Sequence, residues 1–156
     1  MRTQRESQRG SWADRKARRL KQGEIKKGVH MMRAAIFTID TGAYKAKAES
    51  AAASALKRLL EQVGFEVKAV GVLPQNREIV AEVMTRLADS ESVELILTTG
   101  AAGYLDDDIA PDALCDVAER RLPGIPEALR AYNLRYSKKA MMDRMDAGIR
   151  KQTLLM

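Results

Sequence analysis

The chain has 156 residues, 27 of them basic and 21 acidic, with one cysteine and few aromatics. That length accommodates one domain with its own core and excludes two comfortable ones. No membrane span is expected, since no apolar run approaches roughly 20 residues, nor a disulfide framework, since Cys115 has no second cysteine to join, nor a secretory signal, since the N-terminus is charged without an apolar segment.

A reducing, cytoplasmic setting is therefore expected, with no membrane contact. The formal net charge of +6 is unevenly spread. Residues 1–33 carry 11 Lys and Arg against Glu6, Asp14 and Glu24, leaving 16 basic and 18 acidic residues for 34–156. The basic character thus belongs to an N-terminal arm, 1–32, ahead of a domain at 33–156. A basic helix is expected over 13–21, but Trp12 and Leu20 alone cannot build a core, so the arm should be loosely attached. It is either a solvated tail or a contact for an acidic partner or nucleic acid through residues 1–28. His30 lacks metal-ligand neighbours and is expected to be exposed.

From Ala34 the pattern changes. The continuous apolar run 34–39 predicts a strand buried on both faces and ending at Asp40. Residues 41–47 read as a loop. A helix follows over 48–63, with Leu56, Leu59, Leu60 and Val63 on one stripe and Gly64 as its stop. A second strand covers 65–73 and closes at Pro74. The next helix spans 77–88, with Ile79, Val83 and Leu87 repeating every four residues, and a third strand covers 93–98.

That strand empties into Thr98-Thr99-Gly100-Ala101-Ala102-Gly103, then three acids, Asp106, Asp107 and Asp108, and a helix over 111–121 with Pro111 just inside its start. Cys115 on this helix reads as inert. After a rigid turn at 123–126 come a helix over 127–135 and a short helix over 138–147. Met141, Met142 and Met145 on the latter read as core filler. Gly148 and the apolar 153–156 turn into a further strand.

Alternating strands and helices with short links imply a parallel sheet with right-handed crossovers. Ligands in such sheets sit beyond the carboxyl ends of the strands, where strand order switches. Asp40 and Thr98-Thr99 both leave such ends, so they share one rim. The 98–103 loop suits an anion, because free N–H groups and a helix start converge there and Gly100 and Gly103 permit close approach. A plain tight connection fits the same residues. The three acids complement the following helix dipole, which is preferred here to a cation site.

TTGAAGYLDDDIAPDA followed by ERRLPGIPEALRAYNLRYSKKAMMDRMDAGIRKQTLL resembles the MoaB/Mog domain family of molybdenum cofactor biosynthesis over residues 33–156. The resemblance implies a three-layer αβα domain with a mostly parallel sheet that binds molybdopterin. In active members it implies adenylyl transfer from Mg-ATP to the pterin's terminal phosphate, with release of pyrophosphate, in trimers or hexamers. Position by position, Asp40 matches the acid after the first strand. Thr98, Thr99, Gly100 and Gly103 match the pterin-phosphate loop, Asp108 the acid of Arg-Asp, and Glu127 the Glu of PGxxE. Asp40 and Asp108 are thereby the implied catalytic and Mg²⁺-holding acids, and Glu127 joins the loop residues in binding.

The chain departs from that pattern at several positions. Ala101 and Ala102 replace the Gly and Thr of TTGGTG, Asp107 replaces Arg, and Gln75 replaces an acid. Ser50-Ala51-Ala52-Ala53 replaces Asp-Lys-Ser-Gly, and Asp143 replaces the Ser before Arg144. Removing one preorganised contact of this kind lowers a rate on the order of 10²–10³-fold, so weakened or lost catalysis is expected. The alternative is a non-catalytic scaffold of the same fold acting through its arm. An end at Met156 short of the family's closing segment would expose apolar sheet surface. Gly23-Glu24-Ile25-Lys26-Lys27-Gly28 is faintly similar to the closing strand of a MOSC β-barrel domain.

Overall fold

The run RAAIFTI forms strand β1 (Arg33–Ile39), in which Ala34, Ala35, Ile36, Phe37 and Ile39 are all buried. Apolar side chains on both faces place such a strand inside a sheet. The computed structural model describes residues 31–156; the arm, its expected basic helix, His30 and the six residues from Gly23 lie outside the described residues. Strands β2 (Glu66–Leu73), β3 (Leu95–Thr99), β4 (Arg120–Arg121), β5 (Gly148–Arg150) and β6 (Thr153–Leu155) join β1 in one sheet of order β2-β1-β3-β6-β5-β4. The first four strands in that order are parallel, while β5 runs antiparallel to both β6 and β4.

Helices α1 (Thr41–Ala46), α2 (Ala51–Gln62), α3 (Arg77–Asp89), α4 (Ala110–Val117) and α5 (Gly124–Asn133) connect the strands. Side-chain oxygens start three of them. Asp40 accepts from the Ala43 amide, Ser50 from Ala53 and Asn76 from Ile79, each satisfying a donor that the first helical turn leaves unpaired. Strand alternation sorts the core into two layers. Phe37, Ile39, Ile96 and Leu155 pack with Val80 and Met84 of α3 and Leu114 of α4. On the other face Ala34, Leu95 and Leu97 pack with Leu56 and Leu60 of α2 and with Leu154 and Met156. The result is a three-layer αβα domain.

Several local expectations are corrected. Residues 41–46 are helical, because the Asp40 side chain caps them. The second helix starts at Ala51, since Ser50 is its cap. Its stripe is narrower than expected, with Leu59 58% and Val63 72% exposed. In α3 the buried spine is Val80, Met84 and Ala88, one residue beyond the expected set. Val83 and Leu87 flank it and Ile79 is exposed. A broad apolar face contains both rows, and the sheet takes the one that points straight at it.

Helix α4 stops at Val117 because Glu119 and Leu122 pair their amides with Ile149 and Ala147 across the β4–β5 ribbon. The expected helix over 138–147 is a 3₁₀ turn, Lys138–Met142, followed by extended chain. Arg130 Nη1 donates to the carbonyls of Asp143 and Met145, and the Met145 amide donates to the Asp143 carboxylate. These bonds hold the backbone out of the helix, where such side chains compete with it. Met141 at 68% and Met142 at 47% exposure are therefore surface residues and not core filler.

The DAGIR segment fastens the two helical edges. A Cβ on Gly148 would lie 2.6 Å from the Ala118 Cβ and 2.9 Å from the Arg120 carbonyl oxygen. Arg150 forms a bidentate pair with Asp89 at the end of α3, at 2.8 Å for both contacts, and donates to the Val117 carbonyl. Arg77 similarly pairs with Asp116, joining α3 to α4.

Gly148→Ala is expected to destabilise the domain by about 1–3 kcal/mol, the range for overpacking, as a shift in urea midpoint. The hydrogen-bonded Arg150 guanidinium holds the Asp89 carboxyl below its ordinary value of 3.8, and Arg77 does the same for Asp116. A lowered native pKa contributes stability that is present above the ordinary value and lost as pH falls through the native one. Asp89→Asn should accordingly lessen the loss of stability as pH falls below about 4, read from urea midpoints across pH.

Candidate functional site

Strands β1 and β3 are neighbours, yet the chain leaves them in opposite directions. The β1–β2 connection crosses through α2 on one face, and the β2–β3 connection through α3 on the other. This is the switch point at which open parallel sheets bind ligands. Asp40 emerges from β1 and Thr98-Thr99 ends β3, so the two expected segments do share the rim. The Asp40 amide also donates to the Leu73 carbonyl at 2.9 Å, joining the β1 and β2 exits.

The 98–103 loop is shaped by two successive left-handed residues, Gly100 at φ +91° and Ala101 at φ +50°. At Gly100 a Cβ would come 2.7 Å from the Ile39 carbonyl oxygen, so glycine is required for space as well as for conformation. Ala101 keeps the left-handed turn despite carrying a Cβ, at a cost of about 1–2 kcal/mol. The Ala101 carbonyl accepts from the Ala110 amide at 2.9 Å, and the Ala102 carbonyl from the Arg144 amide at 2.8 Å. The loop is thereby stitched to the start of α4 and to the segment after the 3₁₀ turn.

The acids each hold backbone. Asp40 Oδ1 accepts from Ala43 at 2.8 Å, and Asp108 Oδ2 accepts from the Leu105 amide at 2.9 Å. Gly103 makes room for that second carboxylate, since a Cβ there would lie 2.5 Å from Asp108 Oδ2. Arg144 grips the other side, donating to the Asp108 carbonyl at 3.3 Å and to both Asp112 oxygens at 2.8 and 2.7 Å. Among the described residues, no three His, Cys, Asp or Glu side chains are grouped to hold a metal ion.

A cavity of about 460 Å³ opens against Thr98, Thr99 and Gly100, with Leu97, Leu114 and Met145 among its apolar walls and Asn133 and Asp143 among its polar ones. A second, more open hollow of about 520 Å³ touches Gly103, Asp108 and Lys139. Thr38, the register partner of Thr99, carries a buried hydroxyl with no hydrogen-bond partner among the described residues. The Thr98 hydroxyl donates to the Met156 carbonyl at 3.1 Å.

Glu127 stands apart. It is exposed in the first turn of α5 and does not line the cavity of about 460 Å³, whereas Leu129 and Asn133 of the same helix do. At 3.6 residues per turn, Glu127 lies about 200° around the helix from Leu129. Sequence reasoning missed Arg144, Asn133 and the contact role of Gln75. Only Arg144 carried a signal, as the residue after Asp143 in the stretch compared with Ser-Arg.

The family described as a probable molybdopterin binding domain matches residues 35–156. The chain belongs to that family. It is 35% identical over 85 residues to the molybdopterin adenylyltransferase of Escherichia coli K12, a match covering 54% of this chain and 44% of that protein. The match thus spans less than half the length of this curated relative. Among solved structures, the molybdopterin biosynthesis enzyme MoaB from Thermus thermophilus aligns at TM-score 0.72 and 31% identity, covering 80% of this chain and 79% of its own. The molybdopterin biosynthesis Mog protein from Mycobacterium ulcerans aligns at TM-score 0.74 and 25% identity, with 80% of each chain covered.

Within this molybdopterin-binding-domain family the departures take on structure. Gln75 and Asp107 touch each other, with Gln75 Nε2 3.2 Å from Asp107 Oδ2, so two apparent losses are one contact. Ser50 is a helix cap, and Asp143 closes a turn on Met145.

Ala101→Gly is expected to stabilise the domain by about 0.5 kcal/mol. It releases the left-handed cost of about 1–2 kcal/mol and adds glycine's extra chain entropy of about 0.5–1 kcal/mol. Gly100→Ala should destabilise and should also move the Ile39 carbonyl. Thermal melts of the two variants check both signs.

Proposed function

We propose that this protein binds molybdopterin in molybdenum cofactor biosynthesis, with the pterin's terminal phosphate on the 98–103 loop. The observation that carries the reading is the pair of left-handed residues at Gly100 and Ala101, the first of them pressed against the Ile39 carbonyl at the switch point. That turn keeps side chains away from the loop's inner edge, so Gly100, Ala101, Ala102 and Gly103 meet phosphate oxygens with backbone. The cavity of about 460 Å³ lies within the usual range for small-molecule sites, about 300–1,000 Å³. Its apolar walls suit a flat ring system, and Asn133 and Asp143 offer hydrogen bonds at its edge. The buried, unpartnered Thr38 hydroxyl is the kind of group a ligand or water satisfies.

The activity that goes with this site is adenylyl transfer from Mg-ATP to the bound pterin. Asp40 and Asp108 are the acids proposed for it, each with one oxygen committed to a backbone amide. Carboxylate oxygens are the donors that Mg²⁺ prefers, and it binds through one or two of them with phosphates and water completing the shell. A two-acid site therefore fits that ion without a three-ligand cluster. Bound Mg²⁺ would supply charge neutralisation at the phosphates. The chain's own contribution is to hold the phosphate ends together on the loop and to shield the pterin inside the cavity. A homo-oligomer, trimeric or hexameric, working in the cytoplasm with its 1–32 arm ahead of the 33–156 domain completes the proposal.

Titration of purified protein with molybdopterin, with and without Mg-ATP, tests it. Saturable pterin binding with pyrophosphate release is the expected outcome. Binding without release would remove the transfer reaction, and no binding would overturn the reading. Asp108→Asn is expected to slow pyrophosphate release on the order of 10²–10³-fold.

A further inference from the structure

Gln75 follows Pro74 at the end of β2, half-buried between two loops of the rim. Its backbone amide donates to Thr41 Oγ1 at 2.9 Å, and its side-chain Oε1 accepts from the Thr41 amide at 3.3 Å. From the other end of the same side chain, Nε2 donates to Asp107 Oδ2 at 3.2 Å and to the Asp107 carbonyl at 3.3 Å. One amide thus accepts from the residue after Asp40 and donates to the residue before Asp108. A carboxamide carries both functions at one terminus, on two separate atoms, whereas a carboxylate has no donor and an ammonium has no acceptor.

The loop it reaches holds three successive acids. Asp108 is fixed by the Leu105 amide on one side and by Arg144 at its carbonyl on the other. Arg144 spends its second guanidinium nitrogen on Asp112. Gln75 provides Asp107 with its side-chain donor, on the edge facing β1. Without that donor, mutual repulsion among 106–108 and Asp40 favours opening of the loop away from the rim.

We propose that Gln75 is a positioning residue that clamps the 106–108 loop to the Asp40–Thr41 turn and so sets the spacing of Asp40 and Asp108. The clamp acts through those two acids and makes no ligand contact of its own. Its effect on ligand binding rests on the rim being the molybdopterin site.

The test uses a reciprocal swap. Gln75→Glu keeps the shape and the acceptor to Thr41, but turns a carboxylate onto Asp107. Gln75→Glu combined with Asp107→Asn exchanges donor and acceptor between the two side chains and has the wild-type net charge, so it restores the side-chain hydrogen bond but not the one to the Asp107 carbonyl. Two readouts are taken on the full chain: hydrogen exchange of the amides at 104–108 in free protein, and molybdopterin affinity. Q75E should speed exchange and weaken affinity by about 2- to 10-fold, the effect of one such hydrogen bond. The double variant should recover part of both, since one of the two hydrogen bonds returns. A Q75E protein that exchanges and binds like wild type, or a double variant no better than Q75E, overturns the proposal. If wild type fails to bind molybdopterin, the functional reading falls while the exchange pattern still decides the clamp. Gln75→Ala, which lacks the added charge, should show faster exchange too, and normal exchange there would count against the clamp.

Discussion

Where β3 leaves the sheet beside β1, the Gly100 backbone passes so near the Ile39 carbonyl that a Cβ would lie 2.7 Å away. The rest of the rim follows from that approach. Parallel strands set about 4.8 Å apart leave no space for a side chain between their exits, so the loop must turn left-handed at once, and it does so at two residues running. Turning there sends Ala101 back to pair with Ala110 and fixes where α4 begins. α4 in turn places Leu114 in the core beneath the cavity. A sheet contact therefore decides the position of a helix, and the helix decides the shape of the site.

The departures from the family pattern look heavier when counted singly than when seen in place. Losses multiply only where the groups act independently, and groups in contact couple. Gln75 and Asp107 meet across the rim, so each is the environment of the other. Ala101 adopts the left-handed backbone form that glycine adopts more readily, which costs stability. Asp143 serves a local turn in which its carboxylate takes the Met145 amide. The altered positions form a consistent local structure, and that places the question of activity on ligand contacts and not on the integrity of the rim.

What could be read from the sequence is what rests on long, regular patterns. The buried run of β1, the alternation of strands and helices and the placement of Asp40 and Thr98 on one rim all depend on hydrophobic period and chain connectivity. Errors fell where one polar side chain decides the outcome. Asp40 converts an expected loop into α1, and Arg130 pulls the carbonyls of Asp143 and Met145 out of an expected helix. The methionines misled because flexible apolar side chains carry no mark of which side they face. In α3 the period was right and the phase was off by one residue, since a broad apolar stripe contains two candidate rows. Glu127 matches the motif by position, and helix rotation sets it apart from Leu129 and Asn133, which line the cavity.

The part of the chain that resembles the family most specifically performs mainly scaffold work. Gly148 admits Ala118 and the Arg120 carbonyl at distances no side chain would permit. Arg150 ties the end of α3 and the Val117 carbonyl to β5. Arg130 and Arg144 hold the 143–147 segment against α5 and the loop, and that segment forms the cavity wall bearing Asp143 and Met145. Three guanidinium groups thus spend their donors on carbonyls and carboxylates of the protein itself, Arg130 and Arg144 fixing the extended 143–147 segment and Arg150 the ends of α3 and α4. A shared motif in this half is evidence that the same wall is built. Chemistry is decided by the few residues opposite it on the β1–β3 rim, where this chain differs most from the pattern.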